Sequence, residues 1–261
     1  MRLLKLVPDN TNVQFINKRL IAFAFSAVLI LVSIGLYFGQ GLNLGIDFLG
    51  GILIEAKTKG PANLAELRSD LGKLDLGEVS LQEFGAPDDV LIRIQKQEGG
   101  DNAQQAAVEK VKSTLGDRVV EYRRTEFVGP TVGAELREAA TWAVLSAIAA
   151  ILMYIWFRFE WQFGVGAVIA LIHDVVSTIG LFALLQLEFN LATVAAILTI
   201  AGYSINDTVV VYDRVRENMR RYKKMAYEEL FNISINQTLS RTVVTSVTTL
   251  LALLSLFFFG G

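Results

Sequence analysis

Apolar residues in this chain fall into two patterns, and each predicts a different kind of element. In five stretches, residues 20–38, 138–157, 163–185, 191–211 and 242–259, apolar side chains run with little interruption. At about 1.5 Å rise per residue each is long enough to cross a hydrocarbon core of ~30 Å, so five membrane-spanning helices are predicted. All four prolines, Pro8, Pro61, Pro87 and Pro130, lie outside these stretches. The first stretch is long for a signal-peptide core, and no small-x-small cleavage site follows it, so it reads as an uncleaved anchor.

Residues 39–134 follow the second pattern, with apolar and polar positions alternating in short runs. Ile52, Ile54 and Ala56 share one face of a strand over 51–58, and Val90, Ile92 and Ile94 share one face of another over 88–95. Further strands are predicted over 78–84 and 118–127. Helices are predicted over 62–74 and 102–115, the second opened by Asp101 as its N-cap and ended by Gly116. The order βαββαβ predicts a ferredoxin-like, split-βαβ α+β domain. This fold hosts many functions and names none.

Charge places these elements relative to a membrane. The 39–134 segment carries 11 basic and 15 acidic residues, too many for lipid, so it is expected to fold in water. Arg214, Arg216, Arg220, Arg221, Lys223 and Lys224 follow the fourth stretch and mark residues 214–238 as a cytoplasmic loop. Counting back puts Gln186 to Asn190 outside, Arg158 to Gln162 inside and the 39–134 domain outside. Arg2, Lys5, Lys18 and Arg19 independently put residues 1–19 in the cytoplasm. A hydrophobic content of 52% and a mean hydropathy of +0.44 agree with a polytopic membrane protein.

Composition also excludes chemistry. Cysteine is absent and His173 is the one histidine, which argues against disulfides, thiolate catalysis and a zinc centre. No Gly-Lys-Ser/Thr phosphate loop and no hydrolase constellation is present, so no enzyme activity, metal or cofactor is expected. The basic run beside a span is read as a topology mark in contact with anionic lipid, not as a nucleic-acid site.

The candidate chemistry lies in the spans. Asp207 and Asn206 sit about two turns inside the fourth stretch, where an ionised carboxylate costs at least ~2.5 kcal/mol and calls for a partner or a water path. Arg241, at the start of the fifth stretch, is the expected partner. Tyr203 with Asn206 or Asp207, and Arg241 with Thr245 and Thr248, form two polar stripes at helical spacing. Together they could line a hydrated proton path, or the pair could be a static salt bridge. Asp174 is a further candidate for the path, with His173 beside it but pointing about 100° away on a helix. Asp213 reads as a solvated charge beside Arg214 and Arg216. Ala139, Ala143 and Ala147, and Gly166 with Ala170, are spaced for close helix packing. Asp47, among Gly45, Gly50 and Gly51, reads as a tight joint where the chain leaves the first span.

Three stretches carry a family resemblance: LNLGIDFLGG (42–51), VGPTVGAEL (128–136) and AGYSINDTVVVYDRVREN (201–218). They resemble the signature motifs of SecF, the protein-export subunit of the SecD/SecF family in the resistance-nodulation-division (RND) superfamily. The resemblance implies an α-helical RND-like half-bundle in the bacterial cytoplasmic membrane. It also implies an accessory role in late preprotein translocation, driven by the proton-motive force. SecD is the implied partner, with the SecYEG channel and YajC as further ones. Asp207 and Arg241 match the family's proton-carrying Asp and its Arg. Gly45, Asp47, Gly50 and Gly51, and Gly129, Pro130 and Gly133, match its motif glycines and their neighbours. The family has six spans, so a sixth is expected beyond this sequence. The alternative is a proton-coupled exporter of small molecules or lipids, which normally needs both halves of the bundle in one chain.

Overall fold

The computed structural model describes residues 8 and 11–259. It divides into two units. One comprises Leu42–Ala149 and Leu185–Ala196. The other takes in the chain up to Gly41, Ala150–Leu184 and the chain from Ile197.

The first unit is built on a four-stranded antiparallel sheet of β2 (Gly51–Thr58), β3 (Val79–Phe84), β4 (Ala86–Ile94) and β5 (Val119–Val128), in the order β3-β4-β2-β5. Helices α3 (Leu64–Gly72) and α4 (Asp101–Leu115) cover the face formed by Ile52, Ile54, Ala56, Val90, Ile92 and Ile94. These are the residues whose alternation predicted the inward face. Register pairs Ile54 with Ile92 and Ala56 with Val90, so like faces meet across the strands. Asn63 caps α3 by accepting the Glu66 amide at 3.3 Å. Asp101 is not a cap. It is the first helical residue of α4, and the cap position falls to Gly100, whose φ of 74° a side chain would disfavour. Gly116, at φ 49°, ends α4 as expected.

Two ion pairs tie the unit's charges together, one at the surface and one on the buried Asp89. Arg118 reaches Asp70 at 2.8 Å, and Arg123 reaches Asp89 at 2.9 Å. Hydrogen bonds from Arg118 and Lys73 hold the Asp70 carboxyl below the usual range, and burial pushes the Tyr122 phenol up.

The second unit is helical. Counting the helices that continue into the first unit, five helices are long and apolar enough to cross a membrane. They are α1 (Arg19–Gly39), α5 (Pro130–Arg158), α6 (Trp161–Leu185), α7 (Leu191–Arg221) and α8 (Tyr227–Phe259). The 214–238 segment is not a loop: α7 continues to Arg221, α8 begins at Tyr227, and only the residues between them are outside a helix. Charge ends the lipid-compatible part of a helix without ending the helix, since i,i+3 pairs such as Arg214 with Glu217 continue it in water.

Small residues fix the crossings. A Cβ on Gly180 of α6 would lie 2.1 Å from Ser33 Oγ of α1, so the two helices touch backbone to side chain there. Gly166 of α6 receives the Tyr212 hydroxyl of α7, where a Cβ would sit 2.5 Å from it. Ala139 and Ala143 on α5, by contrast, are exposed.

Candidate functional site

The core between α5, α6 and α7 consists of Ile155, Phe159, Ala167, Leu171, Ala201 and Ile205. This packing fixes the rotation of α6 against α7, and rotation decides which polar residues meet. Asp174 of α6 accepts a 2.6 Å hydrogen bond from Ser204 Oγ of α7 on one oxygen, while its other oxygen lies 2.9 Å from His173 Nδ1. The adjacent His and Asp side chains therefore do converge, although their positions differ by about 100° around the helix. His173 Nε2 and Ser177 Oγ, one turn apart, are enclosed and have no partner among the described residues. Thr208 donates to the Ser204 carbonyl at 3.0 Å, which keeps its hydroxyl on the same stretch of α7 as Asp207.

Asp207 and Arg241 do not meet. Among the described residues neither side chain makes a hydrogen bond or an ion pair; Asp207 is half-buried and Arg241 is exposed. Similar depth on antiparallel helices placed them at one level but said nothing about rotation. Tyr203 and Asn206 are exposed, on the side of α7 away from Ala201 and Ile205. Thr245 turns its hydroxyl onto the Arg241 carbonyl at 2.9 Å, and Thr248 does the same to Val244 at 2.9 Å. The α8 stripe thus donates to its own backbone and leaves hydroxyl oxygens free to accept.

Sequence reasoning missed Ser204, which had no acid or base to draw attention and is selected only by helix rotation. Asp213 is a partly exposed charge near Arg216, 3.8 Å away, as expected, but its bond to Arg158 of α5 was not foreseen.

In the other unit the motif glycines come together around a short turn. The turn helix α2 (Ile46–Leu49) runs between Gly45 and Gly50. Gly51 has φ 125°, and a Cβ there would be 2.5 Å from the Ile94 carbonyl, so only glycine fits. Asp47 caps α7 from a distance in sequence, accepting the Leu191 amide at 2.9 Å. The two-residue strands β1 (Asn43–Leu44) and β6 (Glu188–Phe189) pair in parallel. Arg93 secures both, bonding Asn43 at 2.6 Å and Glu188 at 2.8 Å. Where α5 begins at Pro130, Gly133 bonds back to Gly129 at 3.0 Å and is buried against Gly50 and Asp47.

Five apolar helices, with polar side chains enclosed between them, define a multi-pass membrane protein. Comparison with known proteins makes this specific. Residues 107–261 match the family described as protein export membrane protein SecD/SecF, C-terminal, and residues 38–62 match the SecD/SecF GG motif. The protein translocase subunit SecF of Rickettsia bellii is 48% identical over 264 residues, covering 99% of this chain and 86% of that protein. That of Rhodobacter capsulatus is 47% identical over 272 residues, covering 99% and 82%. The crystal structure of SecDF from Thermus thermophilus, a translocon-associated membrane protein, superposes with a TM-score of 0.86 at 37% identity. It matches 98% of this chain, which spans 35% of that longer one. The chain belongs to the SecD/SecF family.

Proposed function

We propose that this protein is the SecF-type accessory subunit of the Sec protein-export translocase, acting with SecD in the bacterial cytoplasmic membrane on preproteins that pass through the SecYEG channel. The observation that carries this reading is likeness over 99% of the chain to proteins named for that role. YajC is a further expected partner. The helical unit is the RND-like half, and a similar half in SecD completes it. The domain at 39–134 is ferredoxin-like and periplasmic. Its support is the strand order β3-β4-β2-β5 with both helices on one face. The basic ends at Arg214 to Lys224 are cytoplasmic, as is the N-terminus. The protein is not an enzyme.

The proton-motive force acts, in this reading, on carboxylates in α6 and α7. Asp207 is a half-buried carboxylate in an apolar helix with no side-chain partner among the described residues, a costly arrangement unless it exchanges a proton or meets a cation in another state. Arg241 is that cation. Asp174, held between His173 and Ser204 one turn before Asp207, is the second protonatable group on the path. Tyr203, Asn206 and Thr245 line it where this half meets its partner.

The test is proton-motive-force-dependent export into membrane vesicles carrying Asp207→Asn, Arg241→Met or both. Loss in each single variant and in the double, with SecD still co-purifying, is expected. Recovery in the double variant would make the pair a structural lock. Normal export with Asp207→Asn would sink the proton reading.

A further inference from the structure

Where α5 ends and α6 begins, the helical unit gathers positive charge around a cavity of about 540 Å³, lined by Arg158, Asp213, Arg216, Glu217, Arg220 and Arg221. Two of these guanidiniums are held side by side. Arg158 and Arg216 lie over the Phe159 ring at 5.4 and 5.7 Å, and Arg216 donates to the Arg158 carbonyl at 3.2 Å. Asp213 serves both, through its bond to Arg158 and its 3.8 Å approach to Arg216. Glu217 is drawn off by Arg214, outside the lining, at 2.9 Å. Arg220 and Arg221 have no carboxylate partner among the described residues. Four arginines therefore face one cavity with one carboxylate committed to them, an arrangement that an anion with several acceptor oxygens would relieve.

The surroundings say what kind of anion. Trp156 and Phe157, just before Arg158, are 79% and 82% exposed, and Trp161 just after it is 71% exposed. Aromatic side chains at the ends of spanning helices sit at headgroup level, and basic pockets between such helices on the cytoplasmic side take lipid headgroups. A free phosphate or an acidic peptide would use the arginines and leave the aromatic rim unexplained.

We propose that this cavity binds the phosphate of an anionic phospholipid, with its acyl chains against Trp156, Phe157 and Trp161. Arg220 and Arg221 supply the unpaired charge, and Phe159 and Asp213 hold Arg158 and Arg216 in place. The site is separate from the carboxylates of the proton path and does not depend on them.

The experiment uses the full chain with its co-purifying partner, exchanged into vesicles of phosphatidylcholine with or without phosphatidylglycerol and analysed for retained lipid by native mass spectrometry. Phosphatidylglycerol should be retained over phosphatidylcholine. Arg220→Gln with Arg221→Gln should weaken its retention about thirtyfold, and the corresponding double lysine variant should recover most of it. Trp156→Ser with Trp161→Ser should weaken retention without changing any phosphate binding. Equal retention of both lipids, or no effect of the glutamine pair, would overturn the site. Displacement of the lipid by millimolar inorganic phosphate at constant ionic strength, unaffected by the tryptophan pair, would replace the lipid with a free-phosphate site. Unchanged co-purification of the partner verifies that each variant is folded.

Discussion

The two units of this protein reverse each other's use of polarity. In the sheet unit Ile52, Ile54, Leu71, Ile92 and Leu115 are sealed inside, Asp70 and Arg118 pair at the surface, and the one buried carboxylate of these pairs, Asp89, is met by Arg123. In the helical unit the apolar residues Leu251, Leu253, Phe257 and Phe258 are exposed, while Ser33 is buried against Gly180 and Asp174 meets Ser204 between α6 and α7. Each arrangement suits its solvent. In water, burial of apolar area drives folding. In lipid that driving force between helices is missing, and close packing at small residues with interhelical hydrogen bonds takes its place. The same kinds of side chain therefore do opposite work, and substitutions should show it.

The largest effect is expected at Gly51. A valine there must adopt φ 125° and push its Cβ against the Ile94 carbonyl 2.5 Å away. Backbone strain and the displaced β2–β4 pairing should together cost about 4 kcal/mol or more, a large part of a domain's stability. Limited proteolysis of the complete chain would report it as cleavage within 39–134, with the helical unit intact. Matched leucines give the next contrast. Leu71→Ala empties a fully buried position and should cost about 2–5 kcal/mol, whereas Leu253→Ala faces the membrane and should cost under about 0.5 kcal/mol. Similar losses at both sites, measured by thermal unfolding in one detergent, would break the contrast.

A buried polar contact between α7 and α8, beyond their apolar stretches, is a further test of what holds the helical unit together. Asn218 donates from α7 to Ser234 at 2.9 Å and Gln237 at 3.0 Å on α8, in a buried setting. Asn218→Ala should cost about 1–3 kcal/mol by leaving those acceptors unmet, and Asn218→Asp should cost more. Protease sensitivity between α7 and α8 is the readout. Asn218→Leu, expected to be worse than alanine here, would be neutral if the contact were merely apolar packing.

How much of this was legible in the sequence depended on which property fixed each feature. Strand faces were, because a period of two assigns Ile52, Ile54 and Ala56 to one side without further information. Span existence was, because length and apolarity suffice. Span ends were not, since α7 and α8 run on through charged residues that water accommodates. The site was half legible. Apolar context singled out Asp207 and Asp174, but the partner of Asp174 depends on how α6 is rotated against α7, and that is set by Gly166, Tyr212 and the Ala167–Ala201 core together. The pairing of Asp207 with Arg241 rested on depth alone, and depth leaves rotation free.

The smallest expected effect uses the fact that the sheet unit titrates against water. Tyr122 of β5 packs against the core and donates weakly to the Lys112 carbonyl at 3.4 Å, with the Lys112 ammonium 5.0 Å from its ring centre. Burial raises its pKa above the ordinary value of 10.0, so the folded state favours the neutral phenol more than the unfolded chain does. The stability this lends is fully present below about pH 10 and is lost as pH rises through the folded-state pKa. Tyr122→Phe cannot ionise, and its stability should fall less steeply over that alkaline range, while at neutral pH it should differ from the parent by about 1 kcal/mol or less. Lysine deprotonation affects both proteins alike, so the difference between their alkaline limbs isolates the phenol. Hydrogen-exchange protection of the β2–β5 pairing, followed from pH 8 upward, is the measurement. Parallel alkaline losses in the two proteins would mean that the phenol is as solvated in the folded chain as in the unfolded one.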